Sequence, residues 1–246
     1  MSAKKELGHI TQKPDQVWHQ FDPDRLVKEI VSSITQLPSR TTPALRTLRR
    51  KYSRLLTLAP PDLVIEIALR LLKKSPNSCR FVASEIVARH RGAFQALTCQ
   101  QILELGAGLD SWGAVDCFGC YVSGPAWRSG QISTELIRNW AESKDRLWRR
   151  AALVSTISLS RRGKPEDLRR TIEICSLLVS DCDDMVIKAL SWALRELAKK
   201  DPKKAHRFLQ THTHLLAARV RREVQNKIAT GLKNPPPSIC STRIGL

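Results

Sequence analysis

The chain has 246 residues, 42% of them apolar, which is enough for a sizeable core in one large domain or two small ones. Lys and Arg total 41 against 23 Asp and Glu, a net charge of +18 with a pI near 10.1, and an excess of that size points to a polyanionic partner such as DNA or RNA. The opening Met-Ser-Ala-Lys-Lys-Glu has no apolar centre and no run reaches the ~18–20 apolar residues of a membrane helix, so a soluble protein without a secretory leader or membrane partner is expected. Taken in chain order, residues 1–21 read as an N-terminal extension. Helical periodicity begins at 22–37 and continues through 43–58 and 61–74, where Leu63, Ile67, Leu71 and Leu72 form one stripe behind Pro61 and Asp62 in the first turn. Further stripes run through 78–90, 132–142, 145–159, 165–180, 184–200, 202–210 and 215–232. Only 114–122 is ambiguous between strand and helix. The tail from 233 to 246, with Pro235-Pro236-Pro237, is expected to be disordered, and 22–232 to form a single all-α domain.

The helices repeat. Segments 75–88, 143–156 and 181–194 each place a polar turn before a helix with a small residue at one position, Ala83, Ala151 and Ala189. The offsets of 68 and 38 residues correspond to two periods and one of a unit of ~34–40 residues, the length of a HEAT-like helical hairpin. Such hairpins stack into a curved solenoid whose second helices line a concave face. Charge is unevenly placed along it. Residues 40–91 carry twelve Lys/Arg against three acids, 144–170 nine against three, and 195–233 eleven against three, whereas 92–143 carries two against five. Six of the eleven glycines fall between 106 and 130, where helix breaks or close backbone approaches are expected.

The seven cysteines are odd in number and irregularly spaced, as in reduced, cytoplasmic thiols. Cys117-x-x-Cys120 lacks the second pair of a structural zinc site, and His206, His212 and His214 have no nearby Cys or acidic partner, so no metal and no cofactor is expected. The nucleotide-binding and acyl-transfer signatures Gly-x-x-x-x-Gly-Lys-Ser/Thr, Gly-x-Gly-x-x-Gly and Gly-x-Ser-x-Gly do not occur. What stands out is tryptophan, six of thirteen aromatic residues. Trp112 and Asp116 are four apart and share a helix face, as do Trp192 and Arg195, three apart. Indoles, guanidinium groups and one carboxylate on a basic surface suit damaged DNA. The same spacing also allows Trp192 and Trp148 to be core residues and Asp116 to pair with a neighbouring Arg.

The run Asp145-Arg146-Leu147-Trp148-Arg149-Arg150-Ala151-Ala152, followed by Lys188-Ala189-Leu190-Ser191-Trp192-Ala193-Leu194-Arg195-Glu196, resembles the AlkD-like DNA alkylation repair family. Ser111-Trp112-Gly113-Ala114-Val115-Asp116 is similar to that family's Trp-x-x-x-Asp segment, and Thr42-Pro43-Ala44-Leu45-Arg46 to its N-terminal entry. The similarity spans roughly 22–232. Ser111 and Gly113 flank Trp112 where members often carry bulkier residues. The resemblance implies a HEAT-like solenoid that binds duplex DNA in a basic concave cleft, and a monomeric glycosylase that excises cationic N3- and N7-alkylpurines without a metal. It implies Asp116 as the catalytic carboxylate, Trp112 and Trp192 as flanking indoles, and Arg149 or Arg150 together with Arg195 on the DNA backbone. Adjacent helical residues point about 100° apart, so only one of Arg149 and Arg150 faces the cleft fully; the internal repeat places Arg150 over Lys188 and favours it. A non-catalytic DNA- or RNA-binding module and a protein-interaction scaffold are the alternatives.

Overall fold

A computed structural model describes Trp18 and residues 21–236, so most of the expected N-terminal extension and the end of the expected tail lie outside the described residues. Among the described residues every element is a helix, and none is long and apolar enough to cross a membrane. The chain divides into two compact units, one ending at Gly108 and the other beginning at Leu109.

The first unit holds α1 (Pro23–Thr35), α2 (Thr42–Leu55), α3 (Pro61–Leu72), α4 (Ser78–Arg89), α5 (Arg91–Ala96) and α6 (Cys99–Gly106). Proline in the first turn starts α1, α2 and α3, where its missing N–H costs nothing. Their apolar stripes close over Ile30, Ile34, Ile67, Leu71 and Ile86, all at or near zero exposure. Arg46 and Arg49 of α2 both donate to the buried Glu85 carboxylate of α4, at 2.8 and 3.1 Å, so α2 and α4 are joined by charge as well as packing. The short α5 and α6 lie in 91–106, where periodicity gave no signal. Six and eight residues are too few to display a stripe, and a Thr98/Gln101 capping box starts α6.

The second unit holds α7 (Trp112–Phe118), a π-helical turn (Gly119–Ser123), α8 (Gly124–Ser129), α9 (Thr134–Ala141), α10 (Arg146–Arg162), α11 (Pro165–Leu177), α12 (Asp184–Lys200), α13 (Pro202–Thr211) and α14 (Ala218–Thr230). The ambiguous stretch 114–122 is therefore helical: α7, the π turn and α8 run on without a break. Ion pairs give the register of the long helices. Arg146 meets Asp183 and Arg161 meets Glu196, so α10 and α12 run parallel; Arg219 meets Asp184 and Arg195 meets Glu223, so α12 and α14 do too. Intervening α11 and α13 pack against these helices and complete the hairpins.

The sequence repeat coincides with this geometry. Asn77, Asp145 and Asp183 are the N-caps of α4, α10 and α12, separated by the same 68 and 38 residues, and Asp145 and Asp183 accept from Leu147 N and Met185 N at 2.8 Å. Ala83, Ala151 and Ala189 are all fully buried. Larger side chains at these positions would separate the helices.

Candidate active site

Asp116 lies one turn into α7. Ser111 caps that helix by accepting from Ala114 N, which leaves Trp112 as its first residue, 60% exposed. The helix then runs flush along α10. A Cβ on Gly119 would lie 2.6 Å from Val154 Cγ1, and one on Gly124 would lie 2.4 Å from the Ser155 carbonyl oxygen, so both positions accept only glycine at this separation. Between them Ser123 and Ser155 share a 2.7 Å hydrogen bond. These are the close approaches expected from the glycine-rich stretch, and they set the depth at which Asp116 meets α10.

There it meets Arg150. The Nε and Nη2 of Arg150 donate to Oδ1 and Oδ2 of Asp116, each at 2.9 Å, and its Nη1 donates to the Met185 carbonyl at the start of α12. One guanidinium therefore ties α7, α10 and α12 together. Its side chain is 7% exposed and that of Asp116 20%. Burial pushes the Asp116 carboxyl above its ordinary value of 3.8, against the opposing pull of Arg150. Each carboxylate oxygen keeps a lone pair after accepting one bond, so the group can still act on a second partner.

The other sequence candidates fall elsewhere. Arg149 turns away from Arg150, donating to Asp181 at 2.6 Å and to the Ser143 and Lys144 carbonyls. Arg195 donates to Glu223 at 2.8 Å and to Ser191, with a side chain 14% exposed, and burial lowers its pKa. Trp192 is half-buried on α12. It stands seven residues, about 10 Å of helix rise, beyond Met185 in the direction of Arg161 and Glu196. Trp148 belongs to an aromatic cluster, 4.8 Å from the Trp140 ring and 6.2 Å from that of Phe118. Among the candidates, then, direct contact joins Asp116 to Arg150, and Trp112 lies one turn before Asp116 on α7.

Sequence reasoning missed two features of the site. The Met185 acceptor is a backbone atom and leaves no trace in residue identity. Cys120 is one turn on from Asp116, and burial pushes its thiol up to about 12, so it stays protonated and is no nucleophile near neutral pH. No grouping of three or more His, Cys, Asp or Glu that could hold a metal occurs among the described residues.

The family model for DNA alkylation repair enzymes matches residues 39–228. The chain belongs to that family. A solved structure described as a predicted DNA alkylation repair enzyme from Enterococcus faecalis superposes with a TM-score of 0.63 at 15% identity, covering 77% of this chain and 87% of that one, and so shares the fold. A designed armadillo repeat protein is more distant, with a TM-score of 0.35 at 16% identity, covering 81% and 98% of the two chains. No curated protein matches the chain. In this family member the fold is an all-helical repeat, and the matched residues include all of the Asp116 site.

Proposed function

We propose that the protein is an alkylpurine DNA glycosylase acting on duplex DNA, with Asp116 as its catalytic carboxylate. The observation that carries this reading is the grip of Arg150 on both oxygens of a half-buried Asp116, one helical turn from an exposed indole. An N3- or N7-alkylpurine is already cationic, so its glycosidic bond breaks without a strong acid. The C1′–N electron pair leaves with the purine, which becomes neutral, and positive charge passes to the deoxyribose. A carboxylate fixed in advance stabilises that oxocarbenium-like sugar, and it needs no reorganisation when the bond breaks. Water then adds at C1′, and its proton passes through Asp116 to solvent. Trp112 offers a π face to the cationic base or sugar, a contact of ~0.5–2 kcal/mol.

Arg150 supports this as a positioning residue. Its three donating nitrogens are all occupied within the protein, which fixes the carboxylate plane while leaving one lone pair on each oxygen. Incubation with a duplex carrying 7-methylguanine should release free base and leave an abasic site, with Asp116→Asn as the inactive control. Binding without excision is the second reading, and the net charge of +18 supports it equally, since charge alone holds a duplex without cleaving it. That reading predicts a retained protein–duplex complex and no free base from the parent.

A further inference from the structure

Among the described residues, the last hairpin of the second unit, α13 and α14, has one flank that no further helix covers. The opposite flank of α14 meets α12, where Arg219 pairs with Asp184 and Glu223 with Arg195. Arg221 stands about 200° around the helix from Arg219, and Ile228, seven residues on, lies almost in line with Arg221. Together with α13 this free flank forms a groove of about 390 Å³, lined by Pro202, Lys203, His206, Arg207, Gln210 and Ile228. No carboxylate lines it. Lys203, Arg207 and Gln210 are exposed and follow one another at helical spacing, so donors run along one side of α13. Asp201, the N-cap of α13, is taken by Lys204, which donates its backbone N at 2.8 Å and its Nζ at 2.6 Å. Arg207 and Arg221 make no hydrogen bond or ion pair among the described residues, and the half-buried Arg221 has its Nε buried without an acceptor. Buried donors of that kind normally find a partner inside the protein. The outer face of a terminal repeat must be polar, but residues of either charge meet that need. This groove carries one sign.

The groove is separate from the Asp116 site. Arg150 reaches Met185 at the start of α12, whereas Pro202 follows the end of that helix, and Met185 and Lys200 lie about 22 Å apart along its axis. A strand at Asp116 and a strand in the groove are therefore different stretches of backbone. We propose that the groove binds the phosphodiester backbone of a nucleic-acid segment other than the one at Asp116. Lys203 and Arg207, about 6 Å apart along α13, supply charge and N–H donors to phosphates. Gln210 adds an uncharged donor, and Ile228 an apolar floor for a sugar. Contacts of this kind fix position and carry no sequence preference. The inference rests on the reading of DNA as the partner, but on neither Asp116 nor excision.

Lysine footprinting tests this. The full chain is acetylated while an undamaged duplex is titrated in, and modification of Lys203 is read by mass spectrometry. Saturating duplex should slow acetylation of Lys203 severalfold, equally in the parent and in Asp116→Asn. Arg207→Gln combined with Arg221→Gln removes no internal hydrogen bond, so the melting temperature should hold. The affinity read from Lys203 protection should weaken, and its slope of log K against log salt should become shallower by about two. Should the double variant unfold, Arg207→Gln alone should make the slope shallower by about one. Unslowed acetylation of Lys203 at saturating duplex, or an unchanged slope in the variants, overturns the proposal. So does protection by phosphatidylserine–phosphatidylcholine vesicles but not by duplex, which would assign the groove to a lipid surface. Release of 7-methylguanine is measured separately: protection without release leaves the groove standing and removes excision, and release without protection does the reverse.

Discussion

Two arginine–carboxylate pairs in the second unit use the same chemistry in different surroundings. Glu223 on α14 accepts from Ser191 at 2.6 Å and from Arg195 at 2.8 Å, with Lys233 at 3.4 Å, and its side chain is 7% exposed. Asp116 on α7 accepts, among the described residues, from Arg150 alone and is 20% exposed. Burial raises both carboxyls. At Glu223 the Ser191 hydroxyl, Lys233 and Arg195 together overcome it and hold the group below its ordinary range, whereas at Asp116 burial outweighs Arg150 and the group stays above it. The balance of burial against donors, more than the presence of an arginine, sets the direction. Glu223 is met by three donors, whereas Asp116 keeps acceptor capacity and a partly exposed edge.

Breaking the structural pair should have the largest effect. Glu223→Ala leaves Arg195 buried beside an orphaned Ser191, and should cost about 3–5 kcal/mol of stability in urea melts. Excision by the fraction still folded should be unchanged. Asp116→Asn keeps the shape of the other carboxyl and removes its charge; excision of 7-methylguanine should fall 10²–10³-fold, or ~2.7–4 kcal/mol, while affinity for the same duplex holds or tightens slightly. Excision at the parental rate would show that Asp116 is not catalytic.

The depth of the Asp116 site can be tested through its glycine. Gly119→Ala places a methyl 2.6 Å from Val154 Cγ1, so α7 must move away from α10. Overpacking of this kind should cost about 1–3 kcal/mol, and excision should fall along with stability because the Arg150 grip is lost. The same change at Gly113, where a Cβ meets nothing within 4 Å, should affect neither.

Acidification separates the pairs by sign. The depressed Glu223 contributes stability that is present above the ordinary carboxyl range and lost as pH falls through its folded value. Asp116 has the reverse sign: its folded form holds the proton more tightly than the unfolded chain, so its contribution is present at low pH and lost as pH rises through the raised value. The proposed mechanism uses the ionised form, so the acid limb of kcat/KM should lie above 3.8 and vanish from the residual activity of Asp116→Asn. The smallest effect belongs to Trp192→Ala. A lost indole contact should raise the excision barrier by about 0.5–2 kcal/mol and shift the melting temperature by only a few degrees. A collapse in melting temperature would assign Trp192 to the core instead.

The helical class and the repeat were legible because they depend on local pattern. Proline at helix starts, Asp145 and Asp183 as caps, and the alanines 83, 151 and 189 act within one helix or at one contact, and each leaves its mark in residue identity. The pairing of Asp116 with Arg150 was open in the sequence as one of several partners. The separation of Arg149 from Arg150 was foreseen from the 100° step of a helix, but the direction in which each points depended on where Asp181, Asp116 and the Met185 carbonyl came to lie. Helices α5 and α6 escaped notice because they are too short to show a period, and the 114–122 stretch because a π turn breaks the 3.6-residue rhythm.

Charge shows the same division. Composition by itself determined a strongly basic chain, and its three basic stretches are a property of residue order. Tertiary structure decided which of those cations are spent: Arg146, Arg149, Arg150, Arg195 and Arg219 all meet acids on other segments, Asp181 and Asp183 in the turn before α12 and the rest on helices. The reason is physical. Whether an arginine faces solvent or a carboxylate depends on distances between segments 28 to 37 residues apart, such as 34 for Asp116 and Arg150, and those distances exist only once the helices are packed.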